Sequence, residues 1–179
     1  MTGLALGFAL KDIISNFVSG ILILILRPFE LGDQIVVGET EGSVERIELR
    51  ATQIRNYDGR VVIVPNADIF TSRVTNNTAN PVRRSSVEMF IGYDSDLRQA
   101  IKIMETAAQT AEGVLGEPKA SVRIRELGAS DIVLDARFWT DSRRADFVAT
   151  TSNVRENVIK KLKEAEIGLP NPAERKLVL

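Results

Sequence analysis

Cysteine and histidine are both missing from this chain of 179 residues, and its aromatic residues are few: seven Phe, two Tyr and one Trp. Without cysteine there is no disulfide framework and no thiolate nucleophile. Without either residue there is no Cys/His metal site. Ser-His-Asp and Cys-His catalysis are excluded within the chain. An enzyme would have to work with Asp, Glu, Lys or Tyr. Charge of one sign is also lacking. Lys and Arg number 23, Asp and Glu 24, and the net charge is -1. That balance lacks the basic footprint of a nucleic-acid binder. The start of the chain lacks the positive segment and small-residue cleavage site of a secretion signal.

What is present first is an apolar run. Residues 6–28 read LGFALKDIISNFVSGILILILRP, with Lys11 and Asp12 side by side inside it. One straight span of about 20 apolar residues would bury both charges, at several kcal/mol. On a helical wheel at about 100° per residue, Leu4 and Phe8 share one face. Gly3 and Gly7 lie on one flank of that face, and Ala5 and Ala9 on the other. Small residues at four-residue spacing let helices approach closely in lipid. Two such flanks suit a helix with a neighbour on each side, as in a ring.

From residue 11 the pattern changes. Lys11, Asp12, Ser15, Asn16, Ser19 and Gly20 share one arc; Ile13, Ile14, Phe17, Val18 and Ile21 share the other. This is an amphipathic helix that lies along an interface. A bend at Lys11 and Asp12 would let the helix leave the hydrocarbon there. Residues 21–26, ILILIL, fit a strand or a buried helix equally. The whole run also fits a Gly/Ala-rich core helix of a soluble protein.

The remainder reads as α+β. Short strands at 34–37, 43–49, 52–56 and 60–64 surround turns at 38–42 and Tyr57-Asp58-Gly59, where Asp-Gly is a hairpin signal. They predict a small twisted sheet or barrel over 29–80. Residues 81–170 follow a β-α-β-β-α-β order, with strands at 86–91, 121–126 and 132–139 and helices from 97 and after Asp141 or Ser142. That order predicts a ferredoxin-like domain. Its second helix turns Phe147, Val154, Val158, Ile159 and Leu162 to the core. Lys176 to Leu179, in the segment 171–179, form a last strand.

Several motifs are read as structural. Asp94 and Asp96 precede a helix as caps rather than as a metal pair. Pro81-Val82-Arg83-Arg84 is a linker with solvated arginines. Asn76-Asn77-Thr78 has the form of a glycosylation sequon, without meaning on a cytoplasmic face. Trp139 is a core residue. No Gly-rich phosphate cradle is present, and no cofactor or metal is expected.

The run GLALGFALKDIISNFVSGILILILRPFELGD resembles the end of the third transmembrane helix of small-conductance mechanosensitive channels, the MscS type, entering their cytoplasmic domain. YDGRVVIVPNADI resembles that family's middle β domain. GYDSD and RIRELGASDI resemble its α/β domain, and GLPNPAERKLVL its C-terminal tail. The resemblance implies a pore and interfacial helix over 1–28, an Sm-like β-barrel domain over 29–80, a ferredoxin-like domain over 81–170 and a C-terminal strand over 171–179. It implies a homoheptamer in the bacterial inner membrane, most of this chain lying on the cytoplasmic side. The channel opens under tension in osmotic downshock and passes ions and small solutes. Membrane lipids are its partners; nucleic acid is not.

By position, Leu4 and Phe8 fall on the family's two constriction residues, usually leucines. Gly3, Gly7, Ala5 and Ala9 fall on its helix-packing positions. Asp12 stands where a kink glycine is frequent, so Lys11, Asp12 and Gly20 are the candidate bend. The helices that precede the pore helix in the family are not in this sequence, and the chain is expected to be a piece cut within that helix. Two other classes remain. A soluble ring-forming Sm-like/ferredoxin-like binding module without channel activity would want a basic, aromatic surface, whereas Glu30, Asp33, Glu39, Glu41, Glu45 and Glu48 crowd the middle block. An enzyme on a ferredoxin-like fold finds no catalytic constellation, and fold alone licenses no function.

Overall fold

The computed structural model describes residues 2–169, with side chains from residue 9 onward. The chain divides into two compact units, Met1–Asn80 and Pro81–Leu179.

The first unit opens with α1 (Thr2–Leu26). Residues 21–26 are therefore helical. β-branched and leucine side chains tolerate either state, and the hydrogen bonding continues unbroken from the preceding turns. Arg27 ends the helix in a left-handed conformation (φ 45°), its N–H donating to the Ile23 carbonyl at 2.9 Å. Pro28 follows and cannot continue the ladder.

Five strands come next: β1 (Gln34–Val37), β2 (Thr40–Ile47), β3 (Ala51–Asn56), β4 (Val61–Pro65) and β5 (Val74–Asn76). They form one antiparallel sheet in the order β4-β3-β2-β1-β5. The β1–β2 turn is tighter than the turn-rich segment 38–42 suggests. Val37 pairs with Thr40, leaving a two-residue loop with Gly38 at φ 55°, which suits a hairpin. Gly42 belongs to the strand. A Cβ there would be 2.6 Å from the Arg55 carbonyl carbon, so it is a close-approach glycine and not a turn residue.

A helix of one and a half turns, α2 (Asn66–Thr71), lies between β4 and β5. Neither α2 nor β5 is expected from the sequence, because six and three residues are too short to show a period. Ile23, Phe29, Ile35, Val37, Val44, Ile54 and Ile69 make the core. The C-terminal end of α1 thus belongs to this core through Ile23.

The second unit contains β6 (Val82–Gly92), α3 (Leu97–Gln109), β7 (Ser121–Leu127), β8 (Asp131–Asp141) and α4 (Arg144–Glu164). Its sheet runs β6-β8-β7, antiparallel throughout. Both helices pack on one face, over Val87, Ile91, Leu134, Ala136 and Phe138. This is the ferredoxin-like order for the described residues. The expected strand at Lys176 to Leu179 lies outside them.

Details differ from expectation. Val82, Arg83 and Arg84 are not a linker but the start of β6, paired with Asp141, Thr140 and Trp139. Arg83 is not simply solvated, since its guanidinium stacks 4.2 Å from the Phe147 ring centroid. Ile159 is exposed, because α4 turns Val154, Val158 and Leu162 inward at spacings of four. Trp139 is half-buried on the sheet face opposite the helices. Asp96 caps α3 as expected, accepting from the Arg98 N–H at 2.9 Å and the Gln99 N–H at 3.0 Å. Asp141 accepts from the Arg143 N–H and so acts just ahead of α4.

Candidate functional site: the apolar helix and its seat

At about 1.5 Å per residue, α1 is roughly 37 Å long. Ala9–Leu26 is apolar enough and long enough to cross a membrane. A core helix of a soluble protein passes the same test, but such a helix is buried. Of residues 9–26 only Ser19, Gly20 and Ile23 are buried. Ile13, Ile14, Phe17, Val18, Leu24, Ile25 and Leu26 are exposed, Ile25 to 70%. Within its own chain α1 is therefore not a buried core helix.

The stripe facing the protein is the half-buried Asn16 with the buried Ser19, Gly20 and Ile23, spaced as one helix face. Three of these four belong to the polar arc. The helix is amphipathic in reverse: it seats its small and polar residues on its own protein and leaves its large apolar residues uncovered. Full burial of one Leu, Ile or Phe is worth about 1.5–3 kcal/mol. A fold that leaves nine large apolar side chains of one helix open has a further contact to make, with lipid or with other chains.

The seat is built from hydrogen bonds. Ala67 is in the first turn of α2, where N–H groups have no partner within the helix. Its N–H donates to Asn16 Oδ1 at 2.9 Å, while Asn16 Nδ2 donates to the Asp12 carbonyl. Asn66 is fully buried. Its Nδ2 donates to the Glu48 carbonyl at 2.8 Å, and its Oδ1 accepts from Thr52 Oγ1 at 2.9 Å. Its own N–H donates to the Arg50 carbonyl at 3.1 Å.

Gly20 lies against this knot. A Cβ on it would meet Asn66 Nδ2 at 2.5 Å and the Leu49 carbonyl carbon at 2.9 Å. Gly20 is needed here for space, its backbone being ordinary helix. Asn16, Asn66 and Thr52 were not singled out from sequence. The signal was the Pro65-Asn66 pair after a strand, which reads as a strand end and says nothing of the helix fifty residues earlier.

The other candidate residues are placed as follows. Gly3, Leu4, Ala5, Gly7 and Phe8 are in the helical backbone of α1, with side chains outside the described ones. Ala9, Lys11 and Asp12 are exposed, and the helix continues through all three and through Gly20. Hollows flank the seat. One of ≈ 480 Å³ includes Asp12, Ile13, Arg50 and Ile63. One of ≈ 330 Å³ includes Leu24, Arg27, Phe29 and Leu31.

Away from the helix, Asp33 ties the end of the first unit together. Burial acts to raise its pKa. Hydrogen bonds from the Glu30 N–H, Asn76 Nδ2 and Thr78 Oγ1 outweigh this and hold the carboxyl below its usual range. Asn76, the first residue of the sequon-like triplet, thus has a structural part. Among the described residues no cluster of acids could hold a metal ion.

Comparison with known proteins identifies the chain. Residues 12–79 match the family model for the mechanosensitive ion channel β-domain, and residues 87–169 that for the mechanosensitive ion channel MscS C-terminal region. The chain belongs to the MscS family. It is 29% identical to the small-conductance mechanosensitive channel of Edwardsiella ictaluri over 95% of its own length and 59% of the relative. It is 35% identical to mechanosensitive channel MscK of Escherichia coli over 78% of its length and 12% of that protein. The crystal structure of Helicobacter pylori MscS in its closed state superposes with a TM-score of 0.88 at 29% identity, covering 95% of this chain and 67% of that one. The MscS-family fold therefore covers nearly all of the chain. The chain spans 59% of the Edwardsiella relative's length. The β-domain match begins at Asp12, inside α1, so the seated part of the helix lies within the matched region.

Proposed function

We propose that this chain is the lower pore and cytoplasmic cage of a tension-gated channel subunit. The observation that carries it is α1: a helix of membrane-spanning length, anchored by polar and small residues, with its large apolar residues uncovered. Seven copies form a ring in the bacterial inner membrane, the two units hanging on the cytoplasmic side. Leu4 and Phe8 line the constriction as two apolar rings, which block ions by excluding water. Gly3 and Gly7 on one flank, and Ala5 and Ala9 on the other, let neighbouring helices slide closely past each other. Lys11 and Asp12 mark where the continuous helix passes from the pore into the interfacial segment, and Gly20 the point where that segment meets the β unit. Tension opens the ring, and ions and small solutes leave during osmotic downshock. Boundaries at 28, 80 and 170, with a last strand over 171–179, describe the working parts.

Assembly is the test. Native mass spectrometry from mild detergent should give a particle seven times the 19.7 kDa chain mass. A monomer at every protein concentration overturns the reading.

A further inference from the structure

The second unit carries a hollow that the channel reading does not use. It lies between α3 and α4, has a volume of ≈ 280 Å³, and is lined by Gln99, Lys102, Ile103, Thr106 and Ala107 of α3, by Thr110 just after it, and by Lys161 of α4. Asn157 holds the helices together beside it. Its Nδ2 donates to the Ala107 carbonyl at 2.7 Å and to Thr110 Oγ1 at 3.3 Å.

The chemistry of the lining is lopsided. Thr106 and Thr110 donate their hydroxyl protons to the Lys102 and Thr106 carbonyls, at 2.9 and 2.8 Å. The charged donors left for a ligand are two ammonium groups. Lys161 pairs with Glu164 at 2.8 Å; the Lys102 ammonium group has no ion pair or hydrogen bond among the described residues. Apart from the neutral Gln99 amide, the rest of the lining is largely carbon, from Ile103, Ala107 and the lysine stems, which cover apolar surface while their heads stay in water. Two cations against one acid, over an apolar floor, complement a ligand with a compact apolar body and an anionic group.

We propose that the α3–α4 hollow binds a small organic carboxylate with an aromatic or branched aliphatic body, its carboxylate held between Lys102 and Lys161. The volume is near the lower end for small-molecule sites, about 300 Å³, and suits a ligand of benzoate size. The inference is independent of the channel reading.

The probe is 4-fluorobenzoate, titrated against the full chain in mild detergent and followed by fluorine NMR. Its neutral counterpart, 4-fluorobenzamide, is run alongside. Saturable binding is expected, at least about fivefold tighter for the carboxylate than for the amide. Lys102→Glu with Lys161→Glu should remove that preference. Thr106→Phe, which fills the hollow without altering its charge, should abolish binding of both probes. All these side chains are exposed, and unchanged melting curves confirm that the variants fold. The proposal is overturned by an absence of saturable binding or by equal affinity for the two probes. It is overturned equally by a carboxylate signal that survives charge reversal, or by one that survives Thr106→Phe and so belongs to α1 or the micelle.

Discussion

Replacing Gly20 by alanine sets two effects of opposite sign against each other. In a helix interior, Gly→Ala ordinarily gains about 1 kcal/mol, because glycine loses more backbone freedom on folding. At Gly20 the new methyl carbon would stand 2.5 Å from Asn66 Nδ2 and 2.9 Å from the Leu49 carbonyl carbon, well inside normal contact. Neither neighbour gives way easily. Leu49 offers backbone, and Asn66 is fully buried with its amide engaged to Glu48 and Thr52. Overpacking costs about 1–3 kcal/mol. A broken bond to a buried amide adds about 1–3 kcal/mol. The losses exceed the gain, and the first unit should be destabilised by roughly 1–5 kcal/mol. Each kcal/mol corresponds to about 4–8 °C for a unit of this size. Two measurements test it: the melting temperature in detergent, and hydrogen exchange at the Ala67 amide, which the Asn16 bond protects. Ser15→Ala, exposed on the same helix, reports the propensity effect alone and should not lower the melting temperature. If Gly20→Ala is as stable as the parent with Ala67 still protected, the close seating of α1 is wrong. Gly20 would then be a matter of flexibility alone.

Three further outcomes follow from the same geometry. Phe17→Asp places a charge on the uncovered apolar face, where Phe17 is 46% exposed; liposome flotation should fall markedly, and Ser15→Asp should leave it near the parent value. In patches carrying the full-length channel, Phe8→Ser and Leu4→Ser should lower the opening tension by wetting the constriction, whereas Leu6→Ser on the opposite face should not; easiest opening in Leu6→Ser would refute the pore-face assignment. Asp33 has a depressed folded pKa, so its contribution is present above the unfolded carboxyl value near 3.8 and is lost as pH falls below it. Asp33→Asn should therefore flatten the acid limb of the first unit's stability curve below about pH 4, and an unchanged acid limb would show that its three hydrogen bonds carry no linkage.

Much of the architecture was legible in order along the chain. Periodicity and turn chemistry are local, so the strands about Asp58-Gly59, the capped helix after Asp96 and the split β-α-β arrangement follow from residues within a few positions of each other. The apolar run and its two arcs were legible in the same way. Which arc faces the protein was not. Sequence periodicity separates two faces of a helix but does not say what covers either, and the usual expectation buries the apolar one. Tertiary structure reversed it, because the β unit offers α1 one polar partner, the Ala67 N–H that Asn16 accepts, and a close seat for Gly20 against Leu49 and the buried Asn66. Those groups come from residues 30 to 50 positions away, and their meeting depends on the β2–β3 and β4–α2 connections arriving at one place. The short elements α2 and β5, and the conversion of Val82–Arg84 from linker to strand, were decided likewise by pairing with distant partners. Composition and local pattern thus determined that this chain carries an uncommonly apolar helix ahead of two α+β units. Only the packing determined that its polar side is the anchor and its apolar side the surface left for lipid or neighbouring chains.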